Sequence, residues 1–185
     1  MHHVKAELGD ALKVNWRFFP LDQVNSTEGP EWKLWEQPAK YRSRGRAAFL
    51  AAIAARKQGE EAFARFHFAL LQAKHASSED HGERSVHLKA AREARLDMDV
   101  FERDLEDQAG MPQIGVDYEE ARDRYGAFGT PTFVFPNGEA AYLKIHAEAP
   151  AEEAVPFFRE FVRTAAHRPH ISEIKRPPKP DPAPA

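Results

Sequence analysis

The sequence predicts an α/β domain in which a block of helices separates two regions that carry β signals. Three observations point to it. Near the start, Lys13-Val14-Asn15-Trp16-Arg17-Phe18-Phe19-Pro20-Leu21 alternates as a strand does, with Val14, Trp16 and Phe18 on one face and Asn15, Arg17 and Phe19 on the other. From Ser43 to Tyr125 the apolar residues recur at helical spacing instead. After that block, Thr132 to Phe135, Asn137-Gly138 and Ala140 to His146 read as strand, tight turn and return strand.

The totals narrow the class. A chain of 185 residues suits one domain, or one domain with an inserted subdomain, and can bury a sizeable core. Charged residues make up 30% but nearly cancel, at a formal net charge of −3, so nothing in the balance argues for nucleic acid or an anionic membrane surface as partner. No apolar run approaches the ~20 residues that span a bilayer. Met1-His2-His3 leads at once into a charged, helix-like stretch rather than a secretory signal, and a cytoplasmic location is the expectation. Cysteine is absent, which excludes disulfides, thiolate metal sites and a cysteine nucleophile within these residues.

Taken in order, Val4 to Leu12 reads as a short helix with Val4, Leu8, Ala11 and Leu12 on one face, and Pro20 closes the strand that follows. A helix then a strand is half of a βαβ unit, whose first strand would precede residue 1. Asp22 to Tyr41 is irregular, and its Trp32, Leu34 and Trp35 read as a cover for a core edge, with a groove lining as the alternative. A helix from Ser43 carries Phe49, Leu50, Ile53 and Ala54 inward and stops at Gly59; a second, Glu60 to about His75, carries Phe63, Phe66, Leu70 and Leu71. The two make an antiparallel helical hairpin. Ser85 to Leu96 is the next helix, and Asp99 reads as the N-cap of one bearing Val100, Phe101 and Leu105, with Glu102 at capping-box distance. Gly110-Met111-Pro112 breaks the pattern before a charged helix from Asp117 to Tyr125. The last helix begins near Pro150, though Pro156 delays its regular part, and Phe157, Phe158, Phe161 and Val162 give it an apolar face. From Pro169 the chain turns proline-rich and cannot bury enough to order itself.

Few side chains offer chemistry. The nine histidines lack metal-site company: His67 and His75 share a helix without a carboxylate motif, so they read as surface or packing residues, and no metal is expected. The pairs Glu60/Glu61, Glu119/Glu120 and Glu152/Glu153 read as solvated first turns. There is no glycine-rich phosphate loop and no Gly-x-Ser-x-Gly elbow.

That leaves Gly129-Thr130-Pro131-Thr132-Phe133, where Pro131 must stand first in its strand because it cannot donate to a ladder. On the residues alone the Thr130–Pro131 bond is open between trans and cis, the latter found at only ~5–6% of such bonds in folded proteins. Together with Trp16-Arg17-Phe18-Phe19-Pro20-Leu21, Ala54-Ala55-Arg56-Lys57-Gln58-Gly59, Phe63 and Phe66-His67-Phe68-Ala69-Leu70-Leu71 in that order, this segment resembles the DsbA-like family of the thioredoxin superfamily over about residues 4 to 166. The resemblance implies a thioredoxin-like fold with a helical insertion, truncated at its N-terminus so that the first strand is absent. Its parts are 1–37 (helix, strand, loop), the insertion at 38–126, the closing hairpin and helix at 127–168, and a disordered tail at 169–185. It also implies cis for Thr130–Pro131.

The family's activity is thiol-disulfide exchange by a Cys-x-x-Cys pair facing the proline loop. This sequence has the loop but no cysteine, so it is expected to be inactive in that reaction and to have no catalytic residue. The resemblance carries over only Thr130 and Pro131, as a surface for an extended peptide or a small thiol ligand. Two alternatives stand beside it: a relative of the glutathione-using isomerases and kappa-class transferases, with glutathione bound near Thr130 and Pro131, and a non-catalytic peptide-binding or scaffold protein. A missing central strand also calls for compensation by homodimerisation, by direct pairing of the flanking strands, or by low stability.

Overall fold

The computed structural model describes residues 1–145 and 150–176. Its helices are α1 (His2–Leu8), α2 (Leu21–Val24), α3 (Arg44–Arg56), α4 (Glu60–His75), α5 (Arg84–Glu93), α6 (Met98–Asp104), α7 (Met111–Tyr125) and α8 (Ala154–His167), and its strands are β1 (Thr132–Val134) and β2 (Ala140–Tyr142). Two compact units result: one holds residues 13–130 with His2, the other joins Met1 and residues 3–12 to Pro131 and beyond. The mixture of helices with a small sheet is the α/β class the sequence predicts.

In the larger unit α3 starts where expected, because the Ser43 hydroxyl accepts from the Arg46 N–H at 3.0 Å and so satisfies a donor at the helix start. Buried alanines, Ala51, Ala52, Ala54 and Ala55, let neighbouring helices close on it. Gly59 makes the turn into α4 at φ +108°, a conformation that costs glycine little. The inward face of α4 delivers Phe63, Phe66 and Leu70 to a core completed by Val86, Phe101 and Ile114, with the Phe66 and Phe101 rings 5.4 Å apart. Trp35 covers the edge of this core, its ring 5.5 Å from that of Tyr118.

Several expectations need correction here. Residues 12–20 are extended but join no strand ladder, since the sheet consists of β1 and β2 alone among the described residues. Alternation gives a segment the right shape for a strand, but a ladder needs a neighbour, and this segment takes side-chain partners instead. The cap of α6 is Asp97, whose carboxylate accepts from the Val100 N–H at 3.1 Å, so Asp99 falls inside the helix and its spacing to Glu102 goes unused. Helix α7 begins at Met111 rather than Asp117, because Pro112 lies in the first turn, where its missing N–H costs nothing. The first helix is α-helical only to Leu8 and continues as a 3₁₀ turn over Gly9–Ala11.

The smaller unit contains the hairpin and α8. Strands β1 and β2 pair antiparallel with Thr132 opposite Tyr142, Phe133 opposite Ala141 and Val134 opposite Ala140. The connection is longer than a two-residue turn: Gly138 N–H donates to the Phe135 carbonyl and Phe135 N–H to the Glu139 carbonyl, each at 2.9 Å. That is a type I turn with Pro136 leading it and Gly138, at φ +90°, as the bulge. The return strand ends at Tyr142, and His146 lies outside the described residues. Helix α8 is preceded by a 3₁₀ turn over Ala151–Glu153, which places Pro156 in its first turn, as the sequence implied.

Candidate functional site

The hairpin is held from one side. Phe133 of β1 and Phe135, one residue past its end, fall on the same side, and both rings meet Phe161 of α8, at 5.0 and 5.8 Å. Asn137 in the turn donates through Nδ2 to the Ala166 carbonyl at 2.6 Å, and its Oδ1 accepts from Glu139 N–H at 3.3 Å. The turn is thus tied to the C-terminal end of α8, and the other end of the hairpin stays at the surface.

At that other end lie the two residues singled out from the sequence. Thr130 and Pro131 are both exposed. The Pro131 carbonyl accepts from the Leu143 N–H at 3.2 Å, so Pro131 stands where the ladder begins, as its lack of an N–H requires. Upstream, α7 ends at Gly126 in the left-handed region, φ +63°, and Ala127 N–H reaches back to the Ala121 carbonyl at 2.9 Å. Phe128 follows with 68% of its surface exposed, a large apolar side chain two residues before Thr130.

Elsewhere in the larger unit, three stretches of the sequence come together around the extended segment. The Arg56 guanidinium donates to the Trp16 carbonyl at 3.0 Å and lies 4.7 Å from the Phe18 ring centroid and 4.0 Å from that of Phe63. His67 stacks on Phe63 at 5.6 Å and meets the Trp16 ring at 4.6 Å. Burial, with Arg56 as a second cause, pushes the His67 imidazole down to about 4, so it is neutral at pH 7. Asp117 completes the cluster: Oδ2 accepts from the Phe18 N–H at 2.9 Å, and Oδ1 from Arg17 at 3.2 Å and Gln113 at 2.8 Å. The sequence hid Asp117 as the first residue of a charged helix. Its signal was position, since Ile114, Gly115 and Tyr118 around it are all buried.

Chemically this cluster holds two cations, a neutral imidazole and an engaged carboxylate, with no nucleophile. Among the described residues no group of His, Asp or Glu could hold a metal ion. No described helix is long and apolar enough to cross a membrane. The cluster therefore reads as an anchor for residues 13–20.

Comparison with known proteins agrees with the motifs. The family model of the DSBA-like thioredoxin domain matches residues 2–152. An uncharacterized protein of Mycobacterium tuberculosis strain H37Rv is 23% identical over 177 residues, an alignment covering 96% of this chain and 74% of that protein.

Proposed function

The chain belongs to the DSBA-like thioredoxin domain family, and from that premise we propose that it acts as a redox-inactive member, binding an extended peptide or a small thiol at Thr130 and Pro131. The observation that carries this reading is a family match across most of a chain that has no cysteine. Thiol exchange requires a thiolate sulfur to attack one sulfur of a disulfide, forming a mixed disulfide and expelling the other sulfur as a thiolate. None of the 185 residues can be that attacking group. Binding does not need it. The exposed bend at Thr130 and Pro131, leading straight into β1, is suited to an extended ligand that pairs main chain to main chain.

Insulin-disulfide reduction by the purified 185-residue chain, with dithiothreitol as reductant, tests the redox half. The expected rate equals that of the reductant alone. A rate proportional to the concentration of the chain overturns it.

A further inference from the structure

Arg56 and His67 share one aromatic box with the extended segment as its third wall. His67 is pressed between Phe63, which lies nearly parallel at 13°, and the Trp16 ring tilted by 59°. Every charged group facing this box is already spoken for. From α3 comes Arg56, paired with Glu60 of α4 at 3.3 Å; from the extended segment comes Arg17, paired with Asp117 of α7 at 3.2 Å. His67 has no ion pair with any of them among the described residues. A proton arriving on its ring therefore places a second cation beside Arg56 without a free carboxylate to receive it.

The part that can yield is the segment. Residues 12–20 belong to no ladder and are fixed by the Arg56 bond to the Trp16 carbonyl, the Asp117 bonds to Arg17 and Phe18, and ring contacts. Helices α3, α4 and α5 share a continuous buried core, to which the segment adds only Phe18, with Trp16 packed against it. We propose that His67 is the release of an acid-sensitive latch: its protonation ejects the Trp16 ring and frees residues 13–20 from helices that stay folded. This is independent of ligand binding at the proline loop.

The sign follows from linkage. The closed state holds His67 near 4, while the open state restores the ordinary value of 6.5, so the proton prefers the open state. Opening gains up to about tenfold for each pH unit lost across that window, and nothing above it.

Hydrogen exchange on the full ¹⁵N-labelled chain tests this through the Phe18 amide, which the latch holds on Asp117, with the Phe66 amide in α4 as the reference. Between pH 6.5 and 4.5, after correction for intrinsic exchange, Phe18 protection is expected to fall by tens of fold and to stay well below that of Phe66, which opens only with global unfolding. His67→Phe, which fills the box and takes no proton, is expected to keep Phe18 protection flat, and His67→Gln serves if that variant does not fold. Equal protection at Phe18 and Phe66 overturns the proposal, because both amides then open only with global unfolding, as does the same fall in the variants, which assigns the effect to a carboxylate. Titration of the wild-type His67 ring proton gives a further check: a midpoint near 6.5 with Phe18 still protected also overturns it.

Discussion

Asp117 lies inside the larger unit and satisfies three donors, one of them the backbone N–H of Phe18, which has no ladder partner. Replacing it by Ala leaves that N–H buried and unpaired, and a lost partner of this kind costs about 1–3 kcal/mol each. We predict that Asp117→Ala lowers stability by about 3 kcal/mol in urea titrations and that Asp117→Asn, which keeps an acceptor for Phe18, loses less than half as much. Arg46 is the second residue of this type. It is buried without a carboxylate, and its guanidinium donates to the carbonyls of Tyr41 and Gln37, both at 3.3 Å, and to Gln108 at 2.5 Å. Burial lowers its pKa, and the guanidinium remains a fork of donors. Arg46→Lys keeps the charge but cannot reach three separate acceptors, and a loss of about 2 kcal/mol in the same titration is expected. An unchanged midpoint would mean that the three bonds contribute nothing net.

Among the elements, the helices were legible where local rules suffice. Ser43 before an apolar-periodic run, Gly59 between two such runs and Asn137-Gly138 between two β-branched or aromatic stretches each act within a few residues. The strand expected at residues 13–21 failed for a reason that no local pattern contains. Its partners are Arg56 and Asp117, 40 and 99 residues away from the groups they hold. Acidic residues on both sides of Met98 made the α6 cap ambiguous by two positions, and only the bond to Val100 decides it. At this scale the test is packing between elements. A Cβ added at Gly115 of α7 would lie 2.5 Å from Trp35 Nε1, so Gly115→Ala must displace the indole that covers the core edge. A cost of about 1–3 kcal/mol with altered tryptophan fluorescence is expected. Phe161→Ala removes the ring that both Phe133 and Phe135 meet; loss of about 2 kcal/mol and of the β1–β2 amide protection is predicted, with Phe66 in α4 keeping its own.

For the molecule as a whole, pH is the simplest probe of what is buried. Burial is the leading cause holding His67, His81 and His87 below the ordinary histidine value. The unfolded chain then binds protons that the folded chain refuses, so stability is complete above about pH 6.5 and declines as pH falls toward 4. His67 alone, at about 4, contributes about 3 kcal/mol to that decline, and urea midpoints measured between pH 7 and 4.5 check it. A flat profile would place these imidazoles in water. The fold family was legible because its motifs stand in order along the chain, and the absence of cysteine is plain from composition alone. What the motifs leave open is whether the proline loop still holds a ligand. Titration of the labelled chain with an extended, cysteine-containing peptide, and in parallel with glutathione, tests this most directly. The account predicts saturable shifts at the Thr130 and Thr132 amides with one of the two, lost in Pro131→Ala. No shift at these amides at millimolar ligand, or shifts that Pro131→Ala leaves unchanged, would contradict it.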